Sequence, residues 1–312
     1  MSPYEVPRRW SCLVKKSELL AEGRRRAPGL VLRGLCMGTA DVIPGVSGGT
    51  IALITGIYDE LVGTIAAVDQ RLVSALVRGR LIEVLHRVNA PFLVPLLCGV
   101  GLAIVSLAKF ITWLLAAHPQ PVWGFFTGLI LASALVVARQ VAGWGPAQWG
   151  LTVVGAVVGY AITTLVPVET GVEGYKFALA GMVAICAMIL PGISGSFLLV
   201  VMGKYKQVLT AVHEFDWAIL ALFGIGGVIG LLGFSRLLKH LLSRFRAGTM
   251  AFLVGLMLGS LRKVWPFRNA LEEGSYECAW PQEFNGEAWL SLGLIAVGVV
   301  LVLALERLGR RG

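Results

Sequence analysis

Apolar residues come in long runs along this chain, and most charged residues fall between the runs. The runs at 92–117, 122–142, 148–168, 217–238, 248–264 and 288–306 are each close to the length that a helix needs to cross the hydrocarbon core of a bilayer. Two further apolar stretches are interrupted. The first, CMGTADVIPGVSGGTIALITGIY (Cys36–Tyr58), carries Pro44, Gly45, Gly48 and Gly49 in its middle, and the second, AICAMILPGISGSFLLVVMGKY, carries Pro191, Gly192 and Gly195. Proline and glycine stop a helix from running through. Broken backbone at membrane depth has N–H and C=O groups that lipid cannot satisfy, so it persists only where protein or a wet cavity surrounds it. Both stretches are therefore site candidates.

The interrupted stretches are copies. Pro44, Gly45, Ser47, Gly48, Gly56 and Tyr58 recur 147 residues later as Pro191, Gly192, Ser194, Gly195, Gly203 and Tyr205. FFTGLILAS, with Phe125, Gly128, Leu129, Leu131 and Ser133, likewise matches FLVGLMLGS, with Phe252, Gly255, Leu256, Leu258 and Ser260. The motifs keep their order, which defines a first repeat over 30–168 and a second over 177–308. Paired interrupted segments in two halves point to a transporter site.

Between the repeats' shared parts lie elements of only one half. Residues 1–29 form a basic tail with Arg8, Arg9, Lys15, Lys16, Arg24, Arg25 and Arg26, read as an orientation signal that stays cytoplasmic; no cleavable signal peptide is visible. Residues 64–90 alternate apolar positions with Arg71, Arg78, Arg80, Glu83 and Arg87, as an amphipathic helix lying on the membrane surface does. The connection 263–287 is aromatic and acidic, and reads equally as a cap or a plain loop.

Charge placement sets the expected topology. If each interrupted segment (30–58 and 177–205) enters and leaves on one side, most of the 27 basic residues gather on one face and both termini are cytoplasmic, as the positive-inside rule requires. With three spans between them, the segments then enter from opposite faces. The expected fold is an all-α polytopic membrane protein of two inverted-topology repeats, each with one re-entrant broken-helix hairpin and about three spanning helices. The alternative, in which each segment crosses fully, moves arginine-rich residues 58–91 outward.

Composition agrees with this class: 56% of the 312 residues are hydrophobic and 14% charged. The net charge of +9 is explained by its place beside apolar spans and does not call for nucleic acid. Five cysteines and four histidines show no metal or catalytic spacing, so no metal site, cofactor or catalytic residue is expected, and the chain is read as a non-enzyme. Glycines four apart (Gly124 and Gly128, Gly155 and Gly159, Gly226 and Gly230, Gly255 and Gly259) predict close helix contacts.

The chemistry expected of the breaks is anion binding. Pro44 and Gly45 end one half-helix, and Ser47 is placed to cap the next, whose Gly48, Gly49 and Thr50 offer first-turn amides. Ser194, Gly195 and Ser196 repeat this after Pro191 and Gly192. Two such helix starts meeting near the midplane suit a phosphate, although the glycines also serve tight packing around a bend. Asp41 has Met188 as its counterpart, and a lone carboxyl at that depth is expected to couple a proton or sodium ion. Arg33, Lys109, Arg139, Arg262 and Lys263 are candidate partners of a charged headgroup; for those near span ends an interface anchor is the default.

GTADVIPGVSGGTIALITGIYDEL followed by ILPGISGSFLLVVMGKY resembles the bacterial polyprenyl-phosphate transporter family, once catalogued as a domain of unknown function and now called PopT. The resemblance covers essentially 30–308, with Asp41, Pro44, Gly45, Ser47, Gly48, Gly49 and Thr50 in the first copy and Pro191, Gly192, Ser194, Gly195 and Ser196 in the second. It implies a transporter in the bacterial cytoplasmic membrane that returns undecaprenyl phosphate, the carrier lipid of cell-wall synthesis, from outer to inner leaflet. A homo-oligomer is compatible with it. Two rival classes remain at this point: a small-anion or metabolite transporter or channel, and a non-transporting scaffold of wall synthesis.

Overall fold

The computed structural model describes residues 8–42, 47–165, 170–171, 173–270, 276–281 and 284–309. Pro44 and Gly45 lie outside them. Fourteen helices are described. The first half holds α1 (Arg8–Asp41), α2 (Gly48–Ile54), α3 (Tyr58–Ala66), α4 (Gln70–Val77), α5 (Leu81–Arg87), α6 (Ala90–Ala117), α7 (Pro119–Ala138) and α8 (Pro146–Thr164). The second holds α9 (Gly174–Ile189), α10 (Gly195–Val201), α11 (Tyr205–His213), α12 (Trp217–Arg244), α13 (Arg246–Val264) and α14 (Gly286–Gly309).

Among the described residues, five helices are long and apolar enough to cross a membrane: α6, α7, α12, α13 and α14. The protein is thus a multi-pass helical membrane protein. A sixth span expected at 148–168 is helical as α8, but Gln148, Trp149 and the terminal Thr163 and Thr164 dilute its apolar run, and it falls outside those five. In the first interrupted stretch α1 ends at Asp41 and α2 begins at Gly48, either side of residues outside the described set. A further bend, not expected from the sequence, sets α2 and α3 at 119° around Gly56 at φ 74. That geometry fits a bent span and a re-entrant hairpin alike.

Three expectations need correction. The surface helix expected over 64–90 is divided into the end of α3, then α4 and α5: Asp69 accepts from Leu72 N where α4 starts afresh, and Gly79 at φ 67, which a right-handed helix excludes, parts α4 from α5. Within the described residues the basic tail is not set off at residue 30, since α1 runs unbroken for 34 residues across that boundary. The 263–287 connection contains a short antiparallel ribbon, Arg268–Ala270 paired with Tyr276–Cys278.

Packing follows the duplication. In the first half α1 lies along α6, and in the second α9 lies along α12. Across the halves, α8 packs on α13 and α14 on α7, while α7 and α13 meet each other. Each long contact is lined by glycines where a Cβ would strike a backbone carbonyl: Gly34 and Gly38 against Leu96 and Val100, Gly226 and Gly230 against Ala178 and Met182, Gly124 and Gly128 against Ser291 and Ile295, Gly255 and Gly259 against Thr152 and Ala156. In lipid no hydrophobic gain drives helices together, so close backbone approach and dispersion must hold them. The hydroxyl of Thr127 on α7 also donates to Val264 O on α13 at 2.7 Å, fixing the central crossing. Around it Ile130, Leu256 and Met257 are fully buried.

Candidate functional site

The two broken stretches meet. Ser47 caps α2 by accepting from Gly49 N at 3.1 Å, and its hydroxyl donates to Met188 O at 3.0 Å. Thr50 Oγ1 accepts from Gly192 N at 3.1 Å. Tyr58, at the start of α3, donates its hydroxyl to Ile189 O at 3.0 Å. Hence three side chains of the first half supply partners for three backbone groups freed where α9 ends. Such groups cost several kcal/mol each when left bare in hydrocarbon, on the order of what is lost by burying an unpaired amide. Gly49 sits against Ile189 O so closely that a Cβ would reach it at 2.5 Å. Gly192, at φ 86, turns the chain beside Met257 and Ser260 of α13.

Asp41 closes the first break from the other side. Its Oδ1 accepts from Gly48 N at 2.7 Å, so the carboxylate itself occupies the start of α2. Thr50 N is bonded to Ser47 O at 2.9 Å. The first-turn amides of this tip are therefore all engaged within the protein in this conformation.

The second tip is built differently. Ser194 caps α10 by position but makes no side-chain cap bond; its hydroxyl meets that of Ser196 at 2.9 Å. Gly195 packs on Ala184 O and Met188. Pro191 is buried in the turn. The counterpart of Thr50 is Phe197, which cannot accept a hydrogen bond, and Tyr205 is 43% exposed where Tyr58 is 2% exposed. Sequence identity between the copies does not carry over to their bonding.

Of the basic candidates, Lys263 lies against α10, its Nζ 4.0 Å from the ring centroid of Phe197. Arg262 lies 5.3 Å from the Tyr160 ring centroid. Arg139 pairs with the buried Glu306 at 3.5 Å and so acts as a tie between α7 and α14. Lys109 is exposed on α6. Arg33 is half-buried and has no hydrogen-bond or ion-pair partner among the described residues.

Two participants escape a reading of motifs. Tyr58 registers in the sequence only as a repeated residue, with nothing to show that its hydroxyl spans the halves. Lys204 reads as an interfacial cation, yet it is 1% exposed, with Nζ donating to Gly171 O and to Gln207 Oε1, and 4.4 Å from the Phe177 ring centroid. Its counterpart in the first half is Ile57, also buried. Among the described residues no group of His, Cys, Asp and Glu is arranged to hold a metal ion.

Comparison with known proteins gives the family of the chain. Residues 37–278 match a family described as undecaprenyl phosphate translocase-like. A protein of Vibrio cholerae serotype O1 named polyprenyl-phosphate transporter is 42% identical over 299 residues, covering 88% of this chain and 95% of that protein. A Staphylococcus aureus protein of the same name is 32% identical over 255 residues, covering 76% of this chain and 85% of that one. No solved structure matches the chain.

Proposed function

The chain belongs to the undecaprenyl phosphate translocase-like family, and from that premise we propose that it carries a polyprenyl phosphate across the bilayer, from the outer to the inner leaflet of the bacterial cytoplasmic membrane, so that the carrier lipid is reused in wall synthesis. The observation that carries this reading is the joint between the two broken stretches, where polar side chains and freed backbone groups gather among apolar helices. A lipid phosphate needs one polar station at depth for its head and a way for its chain to remain in lipid. The two halves supply the first where they meet, and rocking of one half against the other exposes that station to alternate leaflets. In this reading the repeats have inverted topology, the broken stretches are re-entrant from opposite faces, and both termini are cytoplasmic.

The headgroup binds at the tips, with Ser47, Gly48, Gly49 and Thr50 on one side and Ser194, Gly195 and Ser196 on the other. Because Asp41 already holds Gly48 N, a phosphate reaches those amides by displacing the carboxylate. Two anions do not share one helix start, so the exchange ties headgroup binding to the state of Asp41. A coupling proton or sodium ion taken up by Asp41 as it leaves Gly48 N would link transport to an ion gradient.

The test is leaflet-resolved movement of labelled polyprenyl phosphate in vesicles that contain only this protein. Movement well above that of protein-free vesicles is expected. Transport of inorganic phosphate without the lipid would favour the small-anion reading, and movement of neither would leave the scaffold reading standing.

A further inference from the structure

Away from the joint, an open groove of about 680 Å³ lies between α8, α12 and α13, lined by Gln148, Leu151, Leu241, Phe245 and Phe252 with Arg244 and Arg246 among them. We propose that this groove is a docking site for an anionic glycerophospholipid of the surrounding leaflet, its phosphodiester held between Arg244 and Arg246 and an acyl chain laid along Leu151, Leu241, Phe245 and Phe252. No acidic residue lines the groove, so its charge complements a phosphate. Arg244 is exposed and has no hydrogen-bond or ion-pair partner among the described residues. Arg246 gives one nitrogen to Asp59 at 2.8 Å and, with five donors in its fork, keeps others for a second anion. Gly248 and Thr249, in the first turn of the 19-residue α13, line the groove as well, so the positive end of that helix faces the same space.

Depth supports the assignment. Trp144 and Trp149, whose rings lie 4.7 Å apart beside Gln148, mark the headgroup level at which indoles collect in membrane proteins. Phe245 is exposed at the α12–α13 turn on the same rim. The occupant is a resident phospholipid and not the carried lipid, because the glycine-packed contact of α8 on α13 closes the floor: Gly255 against Thr152 and Gly259 against Ala156 leave no width for a chain between the groove and the break beside Met257. The site stands whether or not the chain transports polyprenyl phosphate.

Native mass spectrometry of the full chain, purified with a mixture of phosphatidylglycerol and phosphatidylcholine, tests it. The unaltered protein should retain phosphatidylglycerol selectively, Arg244→Gln and Arg244→Glu should reduce that retention about tenfold, the effect of losing one charged hydrogen bond, and Lys239→Gln, an equal loss of charge at an exposed position on the same helix, should not. Inorganic phosphate should not displace the lipid. Equal retention by Arg244→Gln and the unaltered protein would overturn the site. An Arg244-dependent exchange of phosphatidylglycerol for added polyprenyl phosphate would overturn the choice of occupant.

Discussion

Single residues decide how the two breaks are held. Tyr58 and Tyr205 are the same residue at matched places in the repeat, but only Tyr58 has a buried acceptor, Ile189 O. Removing its hydroxyl leaves that carbonyl bare, at a cost of about 1–3 kcal/mol. Tyr58→Phe should therefore lower the unfolding midpoint of the purified protein, while Tyr205→Phe leaves it close to the original; equal effects of the two would show that the hydroxyl bond contributes little. At Asp41 the expected outcome concerns charge. Asn in its place keeps an oxygen for Gly48 N but cannot become anionic, so Asp41→Asn should make transport insensitive to imposed proton or sodium gradients. Retained sensitivity would move coupling elsewhere. The apolar pattern alone showed where these residues lie, since proline and glycine in an apolar run are visible in any sequence. It could not show that Thr50 serves Gly192 or that Lys204 is enclosed, because both depend on which element lands opposite.

Elements were the most legible level. The spans expected at 92–117, 217–238 and 288–306 are found as α6, α12 and α14, with ends displaced by a few residues. Their apolar parts match the expected runs, which are what the bilayer selects for, while α12 continues as helix through Lys239, His240 and Arg244. The surface segment before α6 was harder to read, since amphipathic periodicity continues through Gly79 while the backbone does not. The glycine pairs four apart were legible as contacts but not as to partner. They now separate two roles on one helix. Gly226 of α12 faces Ala178 O with no room for a Cβ, whereas Gly224, two residues earlier, has nothing within 4 Å. Gly226→Ala should destabilise the α9–α12 pair by about 1–3 kcal/mol through overpacking. Gly224→Ala should be neutral or stabilise by up to about 1 kcal/mol from its higher helix propensity. Thermal unfolding of both variants in one detergent reads the difference, and matching losses would argue against the contact as the cause.

At the scale of the molecule, a polar cluster at the start of α3 joins it both to its own half and to the second half. Asp59 pairs with Arg246 of the second half at 2.8 Å, and Glu60 pairs with Arg26 at 2.6 Å and accepts from Asn89 Nδ2 at 3.1 Å. Arg236 of α12 reaches Val68 O just beyond α3. At the matching places in the second half stand Lys206 and Gln207, so the duplication does not repeat this cluster. The rocking proposed above would part Asp59 from Arg246. Exposed ion pairs contribute about 0–1 kcal/mol, so Asp59→Asn should barely change global stability yet speed amide hydrogen exchange in α3. Unchanged exchange would mean that packing of α3 on α12 suffices to hold this arrangement.

The dependence of one break on side chains from the other copy bears on how such a chain can be altered. Ser47, Thr50 and Tyr58 serve backbone that belongs to residues 188–192, and no reverse service is described. After duplication, then, the copies have ceased to be interchangeable. A tandem chain of two second halves would bring Phe197 to the place of the Thr50 hydroxyl and Met188 to that of the Asp41 carboxylate, and Gly192 N of each copy would lose an acceptor that its twin has no side chain to replace.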